Sequence, residues 1–148
     1  MIDIKELRIG NYVLYKDKKV RITGIVLGSD NAKDAFKEDT LLGDKNERLN
    51  RSDCSSILIK DELLKSCNFQ TIRDRITFRV VPRVAYELKY QPKGIMDYCY
   101  LVIVKDNNVF NHVVPADNDK DCCFIPINSL HQLQNLYFDL AGKELEIK

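Results

Sequence analysis

Long apolar runs are missing from this chain. No stretch approaches the roughly 20 residues that a helix needs to cross a bilayer. The opening Met-Ile-Asp-Ile-Lys-Glu-Leu-Arg is charged throughout and has no apolar centre of the kind a secretory leader carries. Charge of one dominant sign is also missing: 23 Lys and Arg stand against 22 Asp and Glu, a net charge of +1, so the whole chain carries no strong electrostatic instruction. The six glycines are isolated, which excludes a Walker loop and a dinucleotide fingerprint. No segment repeats and none is of low complexity. These absences lead to the expectation of a cytoplasmic protein with no membrane association and no cofactor.

Paired metal-ligand spacings are equally scarce. The five cysteines, Cys54, Cys67, Cys99, Cys122 and Cys123, are odd in number and irregular in spacing, so reduced thiols are expected. Cys122 and Cys123 are adjacent, which makes it hard for both to point at one ion, and His112 and His131 have no cysteine at zinc-site spacing. The acidic run Asp117-Asn118-Asp119-Lys120-Asp121 matches the opening of a calcium loop. The match then fails, with Cys122 where glycine makes the sharp turn and Asn128 where a bidentate glutamate is needed. The run reads as a solvated turn. Cysteine–histidine catalysis has no recognisable nucleophile context.

What remains is an ordinary globular composition, 45% hydrophobic and 30% charged over 148 residues, enough for one core or two small subdomains. The clearest element is a helix over Asn128–Gly142. Ser129 and Gln132 form a capping box, Gly142 suits the left-handed C′ position, and Leu130, Leu133, Leu136, Tyr137 and Leu140 make one apolar stripe. His131, Gln134 and Phe138 lie on a flank beside the stripe, either as the polar edge of the packing surface or as a small contact site. Upstream, Tyr12–Tyr15 and Val20–Val26 read as two strands about the polar turn Lys16–Lys19, a hairpin of the kind that opens SH3-like barrels. Residues 28–51 read as a loop excursion with a short strand at Leu41-Leu42. Asp61 and Glu62 begin a short helix that ends at Lys65, with Asn68 as its left-handed cap.

The second half alternates. Ile72, Ile76, Phe78 and Val80 oppose Arg73, Arg75 and Arg79, and then Val84, Tyr86, Leu88 and Tyr90 share a face, so Tyr86 and Tyr90 read as core. Gln91–Gly94 is a turn. Ile95–Val104 is apolar on both faces except at Asp97, as expected of a central strand. Lys105–Asn108 is a hairpin turn, Val109–Val114 returns, and Glu144–Ile147 reads as a short terminal strand. Charge is uneven along the chain: residues 70–93 hold six basic and two acidic side chains, and residues 94–148 hold four basic and eight acidic. Arg73, Arg75 and Arg79, extended by Lys89 and Lys93, form the best candidate for phosphate contact. Arginines on a strand also protect sheet edges, or pair with an acidic region elsewhere.

Three stretches carry a resemblance: Glu6–Val13 (ELRIGNYV), Ile57–Phe69 (ILIKDELLKSCNF) and Leu130–Leu145 (LHQLQNLYFDLAGKEL). Together they resemble a family of short uncharacterised proteins from Bacteroidetes genomes and their phages or mobile elements. The middle stretch departs from the family's pattern at Lys60, where a threonine cap is usual, and at Asn68, where glycine is usual. The resemblance implies a bacterial or phage cytoplasmic protein and brings no catalytic residues.

The expected fold class is α+β: a β-rich, SH3-like unit over residues 1–56, then over 57–148 a short helix and an antiparallel β-meander packed by a C-terminal helix, with one integrated domain as the alternative. The expected function is non-enzymatic binding or accessory work, with a protein partner or self-association. One alternative is a nucleic-acid-binding module using Arg73, Arg75 and Arg79. The other is an enzyme whose site is assembled from dispersed groups such as His112, His131 and the acidic loop.

Overall fold

The structure, a computed structural model, describes residues 2–28, 39–72, 84–115 and 122–148. Among the described residues the chain is α+β and mostly β, with antiparallel sheets and two α-helices. It divides into two compact units, Met1–Leu58 with Ser129–Asn135, and Ile59–Asn128 with Leu136–Lys148. The long C-terminal helix contributes its first turns to one unit and its last turns to the other.

In the first unit, strands β1 (Tyr12–Tyr15) and β2 (Lys18–Arg21) form a hairpin, and β6 (Cys54–Ser55) pairs with the other edge of β1. A second sheet runs β3 (Gly24–Val26), β4 (Thr40–Leu42), β5 (Arg48–Leu49). The hairpin turn is only Lys16-Asp17, both with positive φ, 48° and 65°, the mirror-image geometry whose twist matches paired strands. The single strand expected over Val20–Val26 is interrupted. Ile22 bonds back to Asn11 and Thr23 to Leu42, so the chain leaves one sheet at Arg21 and enters the other at Gly24. Alternation does not register such a change of partner, because Val20 and Ile22 stay on one buried parity right up to it. Those two residues join Ile2, Ile4, Leu7, Val13, Leu41, Leu49 and Cys54 in the core of this unit.

In the second unit, helix α1 (Asp61–Ser66) precedes a five-stranded antiparallel meander. Its strands are β7 (Gln70–Ile72), β8 (Val84–Tyr90), β9 (Cys99–Asp106), β10 (Val109–Pro115) and β11 (Cys122–Pro126), side by side in chain order. Lys60 caps α1 without a side-chain hydrogen bond, and Asn68 takes the left-handed position after it at φ 65°. β9 is the middle strand, with Leu101 and Ile103 fully buried. The β9–β10 turn sets Asn107 and Asn108 at positive φ, which asparagine tolerates. One sheet face presents Tyr86, Tyr90, Leu101, Ile103 and Phe110, all buried, and Tyr90 meets Tyr137 edge-on at 6.0 Å between ring centres. The opposite face buries Ala85, Val104 and Val113, with Ile72 and Val102 against them.

The closing helix α2 runs Leu130–Ala141, and Gly142 adopts φ 68° while its amide donates to the Phe138 carbonyl at 2.8 Å. Residues 144–147 are not a strand. Leu145 is buried, and the chain is tied by the Lys148 amide donating to the Ser66 carbonyl at 2.9 Å. β9 begins at Cys99 and not at Ile95, so the apolar residues just before it stand outside the sheet.

Candidate functional site

The helix flank is filled in by polar chemistry. Gln134 and His131 are 1% exposed and Asn11 is fully buried. The N-terminal stretch from Glu6 to Tyr12 supplies their partners. The Tyr12 amide donates to Gln134 Oε1 at 2.9 Å, and Gln134 Nε2 donates to the Gly10 carbonyl at 3.3 Å. Arg8 Nε and Asn11 Nδ2 both donate to Asn135 Oδ1 at 2.9 Å, while Asn135 Nδ2 donates to the Glu6 carbonyl at 2.8 Å. The Arg8 amide closes the turn by donating to Asn11 Oδ1 at 2.9 Å. Gly10 sits at φ 100°, a conformation that glycine adopts without penalty. Two of the three stretches that carry the family resemblance are thus hydrogen-bonded to each other, and their distinctive polar residues hold the first unit together.

His131 is the unusual member. Its Nε2 lies 3.2 Å from Ser129 Oγ and 3.4 Å from Glu6 Oε2, and its Nδ1 is buried with no partner among the described residues. Burial pushes its pKa below the ordinary histidine value, against the opposing pull of the Glu6 carboxylate. Serine and glutamate converge on the same ring nitrogen, so the three groups do not form the relay of a hydrolytic triad, in which base and orienting acid use opposite nitrogens. Phe138, further along α2, is 37% exposed, so the three flank residues do not share one exposed surface. His112 lies on β10 in the second unit, its pKa lowered by burial.

A second polar group pins α1. Tyr86 Oη donates to Asp61 Oδ1 at 2.7 Å and Lys105 Nζ donates to Asp61 Oδ2 at 2.6 Å. These bonds from Lys105 and Tyr86 hold the Asp61 carboxyl below its ordinary pKa. Burial and the adjoining Asp61 carboxylate push the Tyr86 hydroxyl well above the ordinary tyrosine value. Both tyrosines assigned to the core by parity, Tyr86 and Tyr90, are buried.

Arg73, Arg75 and Arg79 lie outside the described residues, as does the acidic loop Asp117–Asp121. Of the same basic stretch, Lys89 is described, and it stands among exposed aromatic and apolar side chains. Ile95, Met96, Tyr98 and Tyr100 are each more than half exposed, Met96 at 92%. Lys89 pairs directly across from Tyr100 and carries its Nζ to 4.0 Å from the centre of the Tyr98 ring. Gln91 holds the connecting loop in place, its Nε2 donating to the carbonyls of Ile95 and Met96 at 3.2 and 3.3 Å. The central strand expected over Ile95–Val104 therefore excludes Ile95–Tyr98, and Asp97, three residues after Gly94, is the one local sign of it.

Among the described residues no group of three or more His, Cys, Asp or Glu side chains is placed to hold a metal ion, and no helix is long and apolar enough to cross a membrane. No protein-family model, curated protein or solved structure matches the chain.

Proposed function

We propose that the protein is a non-enzymatic binding or accessory protein, and that the β8–β9 hairpin end is its binding face. The observation that carries this reading is the exposure of Ile95, Met96, Tyr98 and Tyr100 together on one ordered loop and strand end. The other exposed apolar side chains of the second unit, Val84, Val109, Phe124, Ile125 and Phe138, are each less exposed than any of these four. Large apolar and aromatic groups held in water at one place are the usual mark of a contact surface. The chemically capable groups His131, Gln134 and Asn135 are engaged in holding the first unit together, which supports binding over catalysis. The six short antiparallel strands of that unit suit an SH3-like barrel. The unbridged thiols of Cys54, Cys99 and Cys123 suit a reducing cytoplasm. The end motifs, packed on one another, support membership of the phage-related family they resemble.

The test is photo-crosslinking in cells from a reactive amino acid at position 96, with position 45 as control, since Lys45 is an exposed turn residue. Discrete adducts from position 96 that are absent from position 45 are expected. Equal, diffuse labelling from both positions overturns the reading.

A further inference from the structure

We infer that the occupant of the face formed by Ile95, Met96, Tyr98 and Tyr100 is a second copy of this chain, an inference that rests on the hairpin end being a binding face. Charge selects the occupant. Lys89 and Glu87 stand on β8 beside the rings, and Lys93 and Asp97 are exposed in the loop, so the two signs are equal in number. The Lys89 ammonium is already seated over the Tyr98 ring, 4.0 Å from its centre. A nucleic-acid strand or an acidic peptide needs a surplus of cations, and a basic partner needs a surplus of carboxylates. The described residues of this face offer neither surplus. A contact between two identical copies has the opposite requirement, since one patch must complement itself. Glu87 and Lys89 meet that requirement. They are two residues apart on one sheet face, opposite Val102 and Tyr100. A two-fold axis between them sets Glu87 of each copy against Lys89 of the other, so every charge faces its opposite.

The area is sufficient. Together the four apolar side chains expose the equivalent of about two and a half whole residues, roughly 600 Å² per copy. Two copies packed face to face remove about 1,200 Å² from water, where specific interfaces begin. The two tyrosines supply rigid contact surface, and Met96, the most exposed of the four, supplies a side chain that adapts to it. A contact of this symmetry uses the same patch on both copies, so it closes at two and leaves nothing to extend. Net charge of +1 on the whole chain adds little repulsion between copies.

The test is sedimentation velocity with the full chain over the micromolar range. A monomer–dimer equilibrium without larger species is expected. Met96→Asp should weaken dimerisation at least about tenfold, because it sets a carboxylate in the contact on both copies. Glu87→Lys and Lys89→Glu should each weaken it alone, whereas an equimolar mixture of these two variants should recover it, since their charges then match across the axis. Met96 is exposed, so circular dichroism and melting of Met96→Asp should match the parent and separate loss of the dimer from loss of fold. A chain that stays monomeric, a dimer indifferent to Met96→Asp, or a mixture no tighter than its components overturns the inference. If the chain stays monomeric but position 96 gives discrete adducts with other proteins in cells, the second copy falls and the binding face stands. If it stays monomeric and position 96 labels as diffusely as position 45, both fall.

Discussion

Gln134 concentrates much of the residue-scale chemistry. It is an amide buried at the start of a helix, and it is tolerated there because its oxygen and its nitrogen are both used, by the Tyr12 amide and the Gly10 carbonyl. Gln134→Ala leaves a buried donor and a buried acceptor unpaired and opens a small cavity. Stability measured by chemical denaturation is expected to fall by roughly 2–4 kcal/mol, and an unchanged midpoint would refute the role. Hydropathy alone placed His131 and Gln134 beside the core stripe of the helix. Their burial depends on Glu6–Tyr12, more than 120 positions away in the chain, and no local pattern carries that information.

At the scale of elements, the legible features were those governed by short-range sterics. The turn at Asn107-Asn108, the left-handed Asn68 and the end of α2 at Gly142 follow from which residues accept positive φ, whereas the turn at Lys16-Asp17 was legible only as a polar break between strands. Gly142→Ala tests the last of these. Its φ of 68° is strained for alanine, and an added Cβ would lie 3.2 Å from Lys93 Cβ, so the side chain of Lys93 has to give. A loss of about 1–2 kcal/mol is expected in thermal or chemical unfolding. Element ends were less legible. β3 separates from β2 because Thr23 pairs with Leu42 in the other sheet, and β9 starts four residues later than its apolar run. In both places the side chains look strand-like, and the hydrogen-bond partner decides.

At the scale of the whole molecule, the acid response joins groups from both units. Burial lowers the pKa of His131 and His112, so the folded chain binds protons less readily than the unfolded chain. Their contribution to stability is complete above the unfolded histidine value of about 6.5 and declines as pH falls below it toward the folded values. Asp61, also lowered, contributes above the unfolded carboxylate value and loses that contribution as pH falls through its folded pKa. The melting temperature is therefore expected to fall between pH 7.5 and 5.5, and to fall again in stronger acid. His131→Gln should flatten part of the first decline, and a melting temperature independent of pH over that window would contradict the histidine assignment. The sequence by itself determined the α+β class, the meander with its central strand, the core parity of Tyr86 and Tyr90, and the left-handed positions of Asn68 and Gly142, because these depend on neighbours within a few positions or on a fixed alternation. Only the tertiary structure decided which polar residues are buried and which apolar ones face water. Whether His131 and Gln134 are sealed in, or Met96 and Tyr100 left out, is set by what distant segments cover, and coverage is a property of the folded chain.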